Sequence, residues 1–517
     1  MYTQYIFTMN NQAIKIIRRT AFTLYAILII VMAAATIVED QCGTETAHAT
    51  IYEAWWFYTL WCAALALSLT CITPHFRWIK RLQRRWSSKK QQEASQHGGH
   101  EAQRHAALAA TLLATMCALS ANAMKVRTVA LSEADSLKST QVMYLGRLCP
   151  LNTPARDFAL KVTGSTSFGG LTPEQLMLSW ALYPEDWKDV AMIKVRKAAA
   201  QQALGIKTSY ARFTDCFNER GQYILPQGKY TDIEDQLSTI ILLSRGQLYE
   251  TLSPGAKPLS DTRVNAEMAY NATPWNLILF IGCFSLAFML FAITTRREKH
   301  HMAASKAKIF HHATLIARIA LFAFLLTSLC IRWYISEHLP LTSTYETMQV
   351  VALAALAISC FTTKHAMPAL LVAGATLLVT HISSLDPQVT PIMPVLQSPW
   401  LSSHVTLIMV SYCLYALLLF TQKRSILIWA EVLLGIGIIL GGIWAKTAWG
   451  AFWQWDPKET WALITLLVYM YPLHSATLPW FRNKKHLALY LRLAFLTVLM
   501  TYFGCNYLLT GLHSYAN

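Results

Sequence analysis

"WGAFWQWDPKETWALITLL", residues 449–467, holds Trp449, Trp453, Trp455 and Trp461 within thirteen positions and then runs into apolar sequence. Its second half reads as a helix start. Asp456 suits an N-cap, Pro457 the first helical position, and Glu459 the place where a capping box is completed. The residues that follow, 461–478, make a run of the length a bilayer crossing needs, about 20 residues. The tryptophans therefore stand at the mouth of a membrane span. An apolar ring with one N–H suits that boundary, but an anchor does not require so many of them. Trp449 and Trp453, four apart, suit one face of a helical turn, with Trp455 and Trp461 flanking the cap. Large rigid rings at this density form a platform for a flat aromatic ligand.

Working outward, similar apolar runs lie near 20–38, 54–72, 105–124, 274–294, 309–331, 346–363, 367–384, 404–421, 425–443 and 487–509. The 517-residue chain is 54% hydrophobic and 14% charged, with mean hydropathy +0.33. These features predict an all-α polytopic membrane protein with about eleven transmembrane helices. The basic cluster "KIIRR" precedes the first run, and others follow every second run: "HFRWIKRLQRRWSSKK", "TTRREKHH", "TTKH", "TQKR" and "FRNKKH". The alternation puts the N-terminus inside and the C-terminus outside. It also accounts for the formal net charge of +16. The expected partner is the lipid bilayer, with no nucleic acid. The first run continues through "ATIVEDQCG" without a small-residue cleavage site and is expected to be an uncleaved span.

A long hydrophilic insertion interrupts the series. Within it "TPEQLMLSWAL" and "TDIEDQLSTIILLSRGQLYETL" carry apolar residues at helical spacing, and Gly146, Pro150, Gly164 and Pro226 punctuate the chain. A small helix-rich extracytoplasmic domain is expected there. The divisions are a three-span segment, 1–124; that domain, 125–272; a fourth span with a cytoplasmic linker, 273–304; and a larger membrane domain, 305–517. The polar stretch 83–104 reads as a flexible cytoplasmic loop.

Eleven cysteines occur without a CxxC or CxxCH, which argues against a thioredoxin-type redox pair and against haem attached covalently to this chain. A disulfide among Cys42, Cys149 and Cys216 is left open. Of 16 histidines, most lie in basic loops. His404 opens a span and His513 follows the last run, both at the depth of the tryptophan stretch. His105 and His474 fall at the opposite depth, with His97 and His100 as alternatives to His105. Two imidazoles at one depth can hold an iron from both faces of a porphyrin. Arg332, at the outer end of a span, either pairs with a porphyrin carboxylate or snorkels to the interface. Asp456 either caps its helix or orients the platform. Scattered histidines do not carry the spacing of a structural zinc site.

The tryptophan stretch resembles the signature of CcsA (ResC), the membrane component of system II cytochrome c maturation. "RWYISEHLPLTSTYE" (332–346), "WLSSHV" (400–405) and "GLHSYAN" (511–517) are similar to the same family, so the likeness covers roughly 305–517. "ATIVEDQCGTETAHATIYEAWWF" (35–57) resembles the opening hairpin of CcsB (ResB), the usual partner. The whole is similar to a fused CcsBA-type synthase, with a much shorter insertion than is typical. The resemblance implies a bacterial inner-membrane protein that transports haem b and presents it for thioether attachment to the CxxCH of apocytochrome c. It makes His404 and His513 the outer haem ligands, His474 and His105 the inner ones, and Trp449, Trp453, Trp455, Asp456 and Trp461 the platform. Apocytochrome c and thiol-reducing proteins are the implied partners, and ligation needs no nucleophile on this chain. A haem exporter that delivers its cargo without ligation would use the same residues.

Overall fold

A computed structural model describes residues 11–72, 126–252, 255, 257–300, 304–382, 388, 389, 391, 394–475 and 477–509. The span expected near 105–124 and the loop 83–104 lie outside the described residues. Every other expected span coincides with a helix. In chain order these are α1 (Asn11–Cys42), α2 (Trp55–Ile72), α3 (Trp275–His300), α4 (Ala304–Ser336), α5 (Thr344–Phe361), α6 (Ala366–Ile382), α7 (Pro399–Thr421), α8 (Arg424–Trp449), α9 (Pro457–Met470) and α10 (Lys484–Leu499). The protein is thus a multi-pass helical membrane protein. Among the described residues, seven helices are long and apolar enough to cross a bilayer. Helix α6, with 17 residues, and α9, with 14, are shorter. Many large side chains face outward, Phe288, Ile316 and Leu496 among them, as a lipid-facing bundle requires.

Local sequence explains the helix ends. Ser343 and Glu346 form a capping box at the start of α5. Gly450 takes φ 83° and stops α8 at Trp449. Trp449 and Trp453 therefore do not share a helical turn, contrary to their spacing. The bundle core runs through Leu325, Leu356, Leu370, Tyr415, Leu434 and Leu491. A second apolar cluster joins α1, the turn after it and α2 to α9 through Leu28, Met32, Tyr52, Phe57 and Ile464.

Residues 126–272 pack around their own core, which includes Phe158, Leu176, Trp180, Trp187, Ile233 and Leu237. The expected helices form at Pro173–Leu182 and Thr231–Ser244. Two small antiparallel sheets accompany them. Gln141–Tyr144 pairs with Arg147–Pro150 in a hairpin whose turn, Leu145-Gly146, has positive φ at both residues. Glu250–Thr251 adds a third strand, and Ile193–Lys194 pairs with Tyr210–Ala211. Cys149 and Cys216 are buried and free, and Cys42 is free and exposed. This unit is fastened to the bundle at the end of α4 and in the segment between α6 and α7. The Arg263 guanidinium donates to Ile335 O at 2.5 Å and pairs with Glu337. Arg147 donates to Val389 O at 2.7 Å and grips Glu267 with two further bonds of 2.6 and 3.0 Å.

Candidate functional site

At the bundle end that carries this unit, a cavity of about 990 Å³ opens between α7, α8, α9 and the start of α5. That is the upper end of the range for small-molecule and cofactor sites. His338, His404, Tyr412, Trp453, Lys458 and Tyr502 are among its lining residues.

His404 sits one turn inside α7, and its Nδ1 lies 2.7 Å from Gly437 O. A carbonyl oxygen can only accept, so in this geometry Nδ1 carries the proton and Nε2 is the basic nitrogen. Such an arrangement fixes the tautomer of a metal-binding imidazole. Glycines make it possible. A Cβ on Gly441 would come 2.7 Å from the His404 ring, and one on Gly437 would come 2.7 Å from Ile408. Small residues four apart let α7 and α8 approach closely.

The tryptophan segment divides between two neighbours. Trp453 lines the cavity, and its indole nitrogen is buried without a partner among the described residues. Trp455 turns the other way and stacks on Tyr52, ring centroids 5.1 Å apart and 9° between planes, with Phe57 edge-on at 5.2 Å. The Trp461 indole N–H donates to Thr36 Oγ1 at 3.2 Å. Trp449 packs edge-on against Trp444, which itself lines the cavity. Of the four tryptophans, Trp453 lines the cavity, Trp455 and Trp461 face the N-terminal hairpin, and Trp449 packs on Trp444. His48 braces the same segment by donating to Gln454 O at 3.1 Å.

Asp456 is buried and caps α9 by accepting from the Lys458 N–H at 3.1 Å. Glu459 reaches past it to accept from the Gln454 N–H at 2.8 Å, so the capping box drawn from the sequence does not form. Arg332 also departs from expectation. It is fully buried: its Nε donates to Glu346 Oε1 at 2.6 Å and its Nη2 to Gln388 O at 2.6 Å, with Tyr345 beside the guanidinium. Glu346 in turn accepts from the Thr342 N–H at 2.7 Å and from the Thr342 hydroxyl at 2.8 Å. Arg332 thus neither snorkels nor lines the cavity; it holds the 342–346 wall in place.

His474 lies in a 3₁₀ turn, Tyr471–His474, at the far end of α9, edge-on to Phe22 at 5.0 Å. The 14 residues of α9 separate it from the tryptophan segment by about 21 Å. His513, His105, His97 and His100 lie outside the described residues. His338 and Lys458 line the cavity without having been singled out in the sequence. His338 was legible as a histidine at the same depth, in the quoted stretch 332–346. No cysteine lines the cavity among the described residues.

A multi-pass helical bundle with a histidine- and tryptophan-lined cavity at one end defines the class: polytopic membrane proteins with a cofactor-sized cavity at one end of the bundle. Comparisons place it more closely. Residues 419–513 match the family described as cytochrome c assembly protein. The chain is similar to NrfI of Wolinella succinogenes, at 29% identity over 491 residues, covering 72% of this chain and 53% of that protein. It is also similar to the cytochrome c biogenesis protein CcsA of Guillardia theta, at 32% identity over 263 residues, covering 40% of this chain and 85% of that protein. The CcsA of Chlamydomonas reinhardtii matches at 34% over 225 residues, with 36% and 64% covered. The chain spans about half the length of NrfI. It belongs to the CcsA family of cytochrome c biogenesis proteins.

Proposed function

We propose that this protein carries haem b across the bacterial inner membrane and presents it in the described cavity for thioether attachment to the CxxCH thiols of apocytochrome c. The observation that carries the reading is His404: an imidazole with its proton held by Gly437 O, in the wall of a cavity large enough for a porphyrin that Trp453 also lines. His404 and His513 are the axial ligands of the outer haem, and His474 and His105 those of haem entering from the cytoplasm. Residues 36–57 brace the tryptophans, and the 125–272 domain lies outside the cytoplasm. Each attachment adds a substrate S–H across a haem vinyl group, the sulfur bonding one vinyl carbon and the hydrogen the other, with no leaving group. Reduced substrate thiols are needed, which assigns thiol-reducing proteins as partners. The chain's part is to bind, orient and exclude competing nucleophiles.

Two measurements test this. The full chain purified in detergent should show the absorption bands of a bis-imidazole haem, weakened and shifted in a His404→Ala plus His513→Ala variant. Preparations without haem bands, or with bands indifferent to both substitutions, contradict it. Co-expression with an apocytochrome in a host lacking its own maturation system separates ligation from export alone. Covalent haem on the reporter requires ligation.

A further inference from the structure

We infer that the 126–272 unit is a clamp on the cavity wall, with Arg147 and Arg263 as its positioning residues, and that the clamp sets how long haem stays bound. The second half rests on the haem reading above. Two stretches of the wall carry its histidines: most of 337–345, with His338, and most of 396–405, with His404, line the cavity. The unit bonds to the chain at the start of the first stretch and ahead of the second.

The first stretch leaves α4 through Glu337, whose φ of 61° lies in the left-handed region. A non-glycine residue stays there only where its surroundings fix it. Arg263, on the helix Asp261–Ala272, fixes this one from two points: it donates to Ile335 O at 2.5 Å and pairs with the Glu337 carboxylate. Ile335 lies in the last turn of α4, where carbonyls lack a helical partner, so the same guanidinium also finishes the helix. Ahead of the second stretch stands Val389, whose carbonyl accepts from Arg147 Nε at 2.7 Å. The other face of that guanidinium takes both oxygens of Glu267, a fork that lysine cannot reproduce. Glu267 lies on the helix that carries Arg263. Tyr270 of the same helix is buried with Trp275, Ile335 and Val389 in one apolar cluster. One helix, running almost directly into α3, therefore fixes the approach to both stretches.

The test uses the full chain in detergent, as Arg263→Met and as Arg147→Met with Glu267→Gln, the second change sparing a buried unpaired carboxylate. Amide hydrogen exchange is expected to quicken in 337–345 for the first variant and around Val389 for the second, with the unit's core at Phe158 and Ile233 still protected. Haem should pass to excess apomyoglobin about tenfold faster from either. Unchanged exchange in both stretches overturns the clamp. So does quickening shared by the unit's core, which would mean that the arginines hold the unit together and not the wall. Loosened stretches with unchanged haem loss overturn the link to the ligand. A wild-type chain that takes up no haem overturns the parent reading, while exchange still decides the clamp.

Discussion

Trp455 holds φ at +59°, a region that bulky residues rarely occupy and that strains the backbone by of the order of 1–3 kcal/mol. Alternate residues of an extended chain point to the same side only in their i and i+2 register. The left-handed residue breaks that register, so Trp453 serves the cavity while Trp455 serves the hairpin. Their substitution should separate accordingly. Trp453→Ala is expected to lower haem retention with the fold intact, whereas Trp455→Ala removes the stack on Tyr52 and raises protease sensitivity in 35–57. A common phenotype for the two, read by haem absorbance and limited proteolysis, would contradict this division. Arg332 makes a similar case. Removing one partner of its buried pair should destabilise the protein by about 3–5 kcal/mol, and the double change Arg332→Met with Glu346→Gln should recover a good part of it. Thermal unfolding of the three variants in detergent measures both. In the 126–272 unit, burial pushes the Cys149 and Cys216 thiols up to about 12, so both stay neutral at pH 8. Maleimide should label Cys42, which is exposed, well before either.

Between elements, the α7–α8 contact sets the geometry of His404. A methyl group at Gly441 meets the ring at 2.7 Å, so Gly441→Ala must displace the imidazole or part the helices. The expected result is a shifted haem spectrum with the protein still inserted in the membrane. Unchanged bands would show that the ring has room to move. The same contact shows why the glycines of "GIGIILGG" said little beforehand: their meaning lies in a ring contributed by another helix. The spans themselves were legible, because apolar length and charge alternation are properties of single segments. The two sheets were not. Strands of two to four residues, Ile193–Lys194 and Gln141–Tyr144 among them, are too short for a period-2 pattern to emerge.

Across the whole molecule, the sequence placed His404 and the tryptophans at one end of the bundle and His474 at the other, since depth follows from topology. It could not say which tryptophans face the cavity, nor that Arg332 is walled in by residues from 270, 345, 346 and 388, since those partners meet only in three dimensions. Lys458 escaped notice for the same reason: in sequence it is an ordinary charge beside a cap. The indole of Trp461 bonds to Thr36 across a separation of 425 residues. During synthesis, the brace behind the cavity cannot be assembled from the early helices alone. It waits until the ribosome has delivered α9, so the cavity wall and the support behind it are completed together.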